Sequence, residues 1–434
     1  MTDAGPTFPR YDDGPGPSLA VLIVGAGIGG LSAAIALRRS GHCVLVLDRA
    51  DLSSTGMVGA AIHLCPNITG ILPRWGVDMR NLGASHVSRY LARAYDGRMI
   101  QDLNLAEEHS ARWSNPWLMV HRAALHKELR RVATAEEGEG VPAVLEGNLN
   151  VVGVDPQKGM VTLEGGETVL ADVIVGADGI YSKTRDAISA LPLFRSGKAA
   201  FRFMIPRLAA VSDAETAPLA TPDDTFSLWL ADDRRVIMYP CHNNEWLNFV
   251  CVHPDTESHT ALSDEWNRET TLENVLQVFQ TFEPRLLALF RKADPATLKL
   301  WQLLDMDVLP SWTTDKLALL GDAAHPCLPY QAQGGAQAIE DAAALATVLP
   351  RDATMLDEVP ERLKLYENIR FERARRIQHY SRLAGQDRGG KKKVEEFDAL
   401  QFKEYNFNHN EMEHAAAAYA EWLKVREERG DTSS

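Results

Sequence analysis

Cysteine is scarce and unpatterned in this 434-residue sequence: Cys43, Cys65, Cys241, Cys251 and Cys327 are scattered, odd in number and lack CxxC spacing. That excludes a disulfide framework and a zinc-ribbon arrangement, leaves no metal site to expect, and fits a reducing, cytoplasmic setting. No stretch approaches the roughly 20 apolar residues of a membrane-spanning helix. Residues 1–19 lack a basic start followed by an apolar run; ending Gly14-Pro15-Gly16-Pro17-Ser18, they read as a flexible leader and not a signal peptide. The C-terminus, Gly430 to Ser434, carries no recognised targeting signature. Positive charge is also short, with 45 Lys and Arg against 59 Asp and Glu and a net charge of -14, so a phosphate backbone is repelled and nucleic acid is not expected as a partner. What remains is an ordinary soluble composition, 45% apolar and 24% charged, long enough for two packed domains.

The chain opens its ordered part with a short apolar run ending in Val24, which suits a strand buried on both faces. Glycines follow, then Leu31 to Leu37 with helical spacing, then the strand Val44-Leu45-Val46-Leu47: one βαβ unit. At its first turn Gly25, Gly27 and Gly30 satisfy GxGxxG. Gly25 permits the turn, Gly27 lets backbone approach a pyrophosphate, and Gly30 allows close packing of helix on strand. The helix N-terminus offers its N–H groups to phosphates. Asp48, roughly 20 residues downstream at the end of the second strand, is placed to bond a ribose diol, with Arg49 beside it.

Two further apolar strands end in acidic turns: Val173-Ile174-Val175-Gly176 runs into Asp178-Gly179, and Leu317 to Leu320 runs into Gly321-Asp322. An alanine-rich helix is expected over 336–348. Between about 192 and 300 the texture becomes β-branched and aromatic. Segments 226–230, 235–239 and 247–252, separated by Asp232-Asp233 and His242-Asn243-Asn244, read as an antiparallel meander. Past residue 355 the pattern is helical and charged, and Lys391-Lys392-Lys393 reads as a solvated loop.

These segments together resemble the class A flavoprotein monooxygenases, the group of p-hydroxybenzoate and salicylate hydroxylases, over roughly residues 19–385. The carriers are the glycine-rich βαβ unit, the segment Asp172 to Arg185 matching the family's DG motif, and Gly321-Asp322-Ala323-Ala324-His325-Pro326 continuing through Pro329, Gln333-Gly334-Gly335 and Glu340-Asp341-Ala342. The resemblance implies an α/β fold: a Rossmann-like FAD-binding domain of the glutathione-reductase type over 19–190 and 300–355. An antiparallel-sheet substrate domain is inserted at 191–299, with part of 75–110, and a helical region follows over 356–434.

The resemblance also implies FAD as cofactor and NAD(P)H as a transient co-substrate, since only one GxGxxG is present. Asp322 would hold the ribityl chain, though it also reads as a helix cap. The N–H groups at Gly334 and Gly335 would face the pyrimidine edge, where a helix N-terminus favours anionic reduced flavin. Pro329 would sit beside the ring. Arg122, in Val120 to Leu125, would reach the FAD phosphates or else be a surface arginine at a helix start. Ala61, in the loop from Val58 to Ile62, would contact the flavin by its backbone. Asp178 would serve FAD on one side and the nicotinamide on the other. The family's usual glutamate is Asp48 here, and Gly335 stands where alanine is common, a change expected to have little effect.

The implied reaction is transfer of one oxygen from a flavin hydroperoxide to a phenolic ring, with O2 and NAD(P)H consumed. Arg202 would pin the phenolate and Tyr239 would hydrogen-bond it; alternatively Arg202 is a salt-bridge residue at a sheet edge and Tyr239 a packed core tyrosine. Phe201, Phe203, Phe226, Trp229 and Met238 line an aromatic slot or form core. His325 belongs to its turn. Two substrate classes stay open, a salicylate-like acid with or without decarboxylation, and a larger polyketide-derived resorcinol that would lose aromaticity. A halogenase is disfavoured because no Trp-x-Trp-x-Ile occurs. A homodimer is compatible with this family.

Overall fold

The computed structural model describes residues 6–9, 17–52, 60–106, 112–257, 267–352, 356–387 and 399–430. Val58, Gly59, the lysine run at 391–393 and Asp431 to Ser434 lie outside the described residues.

A six-stranded sheet forms the base of the nucleotide-binding part. Its order is Thr313–Thr314, Leu317–Leu319, Val173–Gly176, Ala20–Val24, Cys43–Leu47 and Val144–Glu146. All neighbours pair in parallel except Thr313–Thr314, which turns back on Leu317–Leu319. Val21, Leu22, Ile23, Val44, Leu45 and Val46 are fully buried, in one core with the helix Ile28–Arg39 and with the small antiparallel sheet of Val151–Asp155, Met160–Leu163 and Thr168–Leu170. The register pairs Val24 with Gly176, and Gly176 with Leu319. Three turns distant in sequence therefore emerge side by side at the carboxyl edge, where open α/β sheets bind ligands.

The helix Ile28–Arg39 packs against the helix Gly334–Val348, which starts two residues earlier than the alanine pattern predicts. Behind it, the long helix Val359–Ala384 supplies Arg370 and Arg373. Arg370 Nε bonds Asp341 Oδ1 at 2.8 Å, and Arg373 Nε bonds Glu340 Oε2 at 2.8 Å. Burial pushes the Glu340 carboxyl up, but the two guanidinium groups outweigh it and hold it ionised. Paired in this way, buried Glu340 and Asp341 lock the helix in place.

The second layer is an eight-stranded sheet ordered Asn267–Glu269, Lys299–Met306, Leu193–Pro206, Trp246–Pro254, Arg235–Cys241, Thr225–Leu230, Arg89–Ala94 and Met99–Asn104. The expected meander over 225–254 is there; His242, Asn243 and Asn244 make its turn with left-handed φ of 53°, 54° and 61°. The strand of Tyr239 does not stop there but continues through Pro240 to Cys241. The strand Lys299–Met306, whose residues 300–306 are assigned from sequence to the FAD-binding segment, pairs with Leu193–Pro206 and belongs to this sheet.

Period-two alternation splits the aromatic residues between two faces. Phe201, Phe203, Trp229 and Met238 turn into a closed core with the helices Leu272–Val278 and Pro284–Phe290, so they line no slot. Phe226 alone of that group faces the nucleotide-binding part. On this second face, cross-strand neighbours form a row: Tyr90, Phe226, Tyr239, Asn248 and Met204. Two residues along from Met204, on the same face, is Arg202. The small sheet Ala61–Leu64, Leu118–His121 and Ser85–His86 fills the space between the layers.

Candidate active site

The glycine turn is built for close approach. Gly25 has φ +105°, and a Cβ there would lie 2.4 Å from the Ala177 carbonyl oxygen. A Cβ on Gly30 would lie 1.8 Å from the Gly25 carbonyl oxygen. A Cβ on Gly27 would meet nothing within 4 Å, so the backbone there borders open space. No side chain caps the helix that follows, and its first turn holds no acidic residue. The Asp48 carboxylate bonds the turn itself, Oδ2 accepting from Ala26 N at 2.6 Å and Oδ1 from Ala50 N at 2.7 Å. Each oxygen retains one lone pair for a ribose hydroxyl. Arg49 is exposed beside it.

Asp178 is engaged by its own turn. Its carboxylate accepts from Ser182 Oγ at 2.7 Å, Lys183 N at 2.7 Å, Thr184 N at 3.0 Å and Thr184 Oγ1 at 2.7 Å. Four donors occupy the lone-pair sites of one carboxylate, so Asp178 shapes its own turn. The link between the acidic turns is Arg185, to which no role attaches in the sequence. Its guanidinium donates to the carbonyls of Ala323 at 2.8 Å, Ile180 at 2.9 Å and Asp322 at 3.1 Å.

Arg122 opens the helix Arg122–Thr134, directly after the strand Leu118–His121. It faces Asp322, and the two charges act on each other. Burial lowers the Arg122 guanidinium and raises the Asp322 carboxyl, and each partner opposes the other's shift. Both are surrounded by protein yet remain solvent-accessible, as residues lining a cleft are. Among the described residues neither side chain makes a hydrogen bond, so both have donors or acceptors to offer a ligand. Pro329 is exposed at the start of the short helix Pro329–Gln331. Gly334 and Gly335 form the first turn of their helix, which no side chain caps. A methyl group on Gly335 would lie 3.0 Å from Ile62 Cδ1, so glycine there makes room for the Ala61–Leu64 strand.

His325 is part of the scaffold. Its Nε2 pairs with Asp341 Oδ2 at 2.7 Å and its ring packs on Trp312, 4.8 Å between centroids.

Arg202 and Tyr239 converge on one atom. The Tyr239 hydroxyl donates to the Ala61 carbonyl oxygen at 3.0 Å, and Arg202 NH2 approaches the same oxygen at 3.4 Å. Asn248 Oδ1 accepts from Ala61 N at 3.0 Å, so both backbone groups of Ala61 are engaged by the sheet and a flavin contact there competes with them. Arg202 stacks on Trp301, 3.8 Å from guanidinium carbon to ring centroid, and its Nε has no partner. Burial pulls Arg202 down to about 10, with Tyr239 opposing and Arg122 adding to the shift. No carboxylate pairs with it among the described residues, so the sheet-edge salt bridge is not what the structure places there. Burial pushes the Tyr239 hydroxyl well above its ordinary range, keeping it protonated. His63 packs on Tyr239 at 4.4 Å and accepts from Trp117 Nε1 at 3.1 Å, which requires a neutral imidazole with its lone pair on Nδ1. Burial lowers His63 to about 3.

Trp301, Asn248 and His63 carry no motif. Each acts through a neighbour on another strand, which sequence spacing does not reveal.

Two other groupings lie apart. A groove of about 420 Å3 lined by Arg207, Leu208, Thr221 and Asn244 shares none of these residues. His409, Glu411 and His414 bring three ligand atoms within 4.8 Å, but Glu411 Oε2 already accepts from Arg370 at 2.5 Å and contacts His409 at 2.6 Å, so a guanidinium supplies the positive charge there.

The FAD binding domain family matches residues 18–381. The chain is 36% identical to hispidin-3-hydroxylase of Neonothopanus nambi, covering 82% of this chain and 86% of that one. It is 35% identical to the FAD-dependent monooxygenase cfoG of Aspergillus candidus, with 85% of each covered. The fold superimposes on CtdE in complex with FAD and a substrate at a TM-score of 0.79 and 21% identity, over 95% of this chain and 100% of that one.

Proposed function

The chain belongs to the FAD binding domain family and is an FAD-dependent monooxygenase, and from that premise we propose that it hydroxylates a phenolic aromatic substrate with NAD(P)H and O2. The balance is substrate C–H, O2, NAD(P)H and a proton giving substrate C–OH, water and NAD(P)+. The observation that carries the phenolic reading is Arg202, a half-buried guanidinium with an enclosed Nε and, among the described residues, no carboxylate partner, stacked on Trp301 and sharing the Ala61 carbonyl with Tyr239.

The cofactor fits the residues present. Open backbone at Gly27 and the uncapped helix behind it suit the pyrophosphate. Arg122, a permanent forked cation, suits the phosphates, and Asp322 the hydroxyls of the ribityl chain. Gly334 and Gly335 present helix N–H groups to the pyrimidine edge. Bound FAD, once reduced by the nicotinamide, supplies the activated oxygen atom.

This chain's own residues do the rest. Arg202 holds the phenolic oxygen as phenolate, and an ionised oxygen pushes electron density into the ring carbon that is attacked. Tyr239, kept protonated by burial, releases the Ala61 carbonyl and gives its hydrogen bond to the substrate oxygen, which adds a second donor at the same atom. Apolar Leu228, Ile237 and Val250, half-buried on the same face, keep water from the ring.

Hispidin-3-hydroxylase bears its substrate in its name, and a hydroxylated aromatic of comparable kind is the class we assign. The row Tyr90, Phe226, Tyr239 extends across three strands, which favours a long substrate such as a polyketide-derived resorcinol over a single small ring. The deciding experiment is a screen of phenols for stimulated NAD(P)H consumption by the yellow, FAD-loaded protein, with mass analysis for one added oxygen. A protein that binds no FAD, or whose NAD(P)H oxidation no phenol accelerates, would sink this reading.

A further inference from the structure

A cation sits at the other end of the aromatic row. Lys403, on the C-terminal helix Ala399–Phe407, places its Nζ 5.2 Å from the ring centroid of Tyr90 and 5.3 Å from that of Trp117. These rings lead back to the proposed oxygenation site. Tyr90 stacks on Phe226 at 5.4 Å, Phe226 on Tyr239 at 6.1 Å, and Trp117 bonds His63, which packs on Tyr239.

Among the described residues no carboxylate pairs with Lys403. The groups acting on it are Cys65, a thiol that burial keeps neutral, and Arg112, itself 3.8 Å from Glu404. Burial holds the Lys403 ammonium below its usual range. Among the described residues this half-buried ammonium meets two ring faces, a thiol and a like-charged guanidinium, and it is incompletely compensated, because cation–π contact replaces only part of its lost hydration. An arriving anion completes it. Cys65 Sγ in turn reaches the Ala332 carbonyl at 3.6 Å, two residues before Gly334, which ties the surroundings of Lys403 to the segment that opens the helix Gly334–Val348.

We propose that Lys403 determines substrate specificity by taking an anionic oxygen, carboxylate or enolate, at the end of the substrate remote from the phenolic oxygen held by Arg202. Tyr90 and Tyr239 are two strands apart, so the two acidic oxygens are separated by roughly 10 Å. The ligand class is an elongated phenol with a second acidic group, clamped between two cations over an aromatic floor. The inference rests on the reading of that floor as the substrate site.

Binding to the FAD-loaded full chain tests it, read as perturbation of the flavin absorbance without turnover. The probes are 4-hydroxycinnamate, its methyl ester, and the shorter 4-hydroxybenzoate. The wild type should bind the cinnamate about tenfold more tightly than its ester. K403Q should lose that preference and K403R should keep it, and 4-hydroxybenzoate, too short to reach both cations, should not depend on Lys403. The flavin spectrum and melting temperature report folding, and K403M, which keeps the packed stem, substitutes for K403Q if the latter does not load FAD. Equal affinity for acid and ester, no binding of the acid, or an acid preference that survives in K403Q or K403M overturns the proposal. Failure of the hydroxylase reading is separable: the acid preference would then persist while no phenol stimulates NAD(P)H oxidation.

Discussion

The phenolic hydroxyl of Tyr239 donates to the carbonyl oxygen of Ala61 at 3.0 Å, tying the middle of the eight-stranded sheet to the strand Ala61–Leu64. Arg202 reaches the same oxygen at 3.4 Å, and in the function proposed above this carbonyl marks the place of the substrate oxygen.

The two variants at this point should separate by size of effect. Arg202→Met removes the cation and should lower product formed per turnover about 100-fold, whereas Tyr239→Phe removes one hydrogen bond and should lower it about tenfold. FAD retention should be unchanged in both, and NAD(P)H oxidation should continue with hydrogen peroxide released instead of product. Arg202→Met should also raise the melting temperature, because the enclosed Nε has no partner and methionine of similar volume leaves no unpaired donor there. Product quantified against NAD(P)H consumed checks the first claim and a thermal melt the second. Equal loss of FAD from both variants would refute the assignment.

Gly27 and Gly30 should respond oppositely to the same substitution. Gly27→Ala adds a methyl to open space at an ordinary φ of -72°, so the FAD-free protein should melt unchanged while FAD affinity falls at least about tenfold. Gly30→Ala drives a methyl to 1.8 Å from the Gly25 carbonyl oxygen and should destabilise the fold itself by about 2–4 kcal/mol. Melting curves with and without FAD, with a fluorescence titration of FAD, read both. A destabilised FAD-free Gly27→Ala protein contradicts the ligand reading.

Asp178→Asn tests whether that carboxylate serves its turn or a nucleotide. Its four hydrogen bonds to residues 182–184 predict a loss of about 2 kcal/mol in the FAD-free protein. If unfolding by urea is unaffected and only the KM for the nicotinamide rises, the direct nucleotide contact is the correct role.

His63 makes stability pH-dependent. Its folded value of about 3 lies below the ordinary 6.5, so between these values the unfolded chain binds a proton that the folded one does not. Stability attributable to this residue is therefore intact above pH 6.5 and declines as pH falls, at up to about 1.4 kcal/mol per unit. His63→Phe should flatten the decline between pH 6.5 and 4.5 while weakening the contact with Trp117. Chemical unfolding of both proteins across that window measures the difference, and parallel curves would show that His63 is not buried neutral.

Much of the nucleotide-binding part was legible because its signals are local. Gly25, Gly27 and Gly30 lie within one turn, each acidic turn follows its own buried strand, and the helix over 334–348 shows its alanine pattern in one segment. Short β-branched and aromatic runs separated by turn residues located the meander. The sequence does not show that the Asp178 carboxylate takes four partners from residues 182–184. It also left Arg185 without a role, although that guanidinium joins the Gly179 and Asp322 turns.

By itself, then, the sequence determined the elements and the residues that backbone geometry compels: a glycine where φ is +105°, a strand where apolar residues run unbroken, a helix opening directly on a glycine turn. Only the tertiary structure decided which side chains meet. That Arg202 stacks on Trp301, that Tyr239 and Arg202 share one carbonyl, that Arg122 confronts Asp322 and that Lys403 arrives from the last helices over Tyr90 are facts of strand register and layer packing. Register depends on the burial of a whole sheet face at once, and no window along the chain contains it.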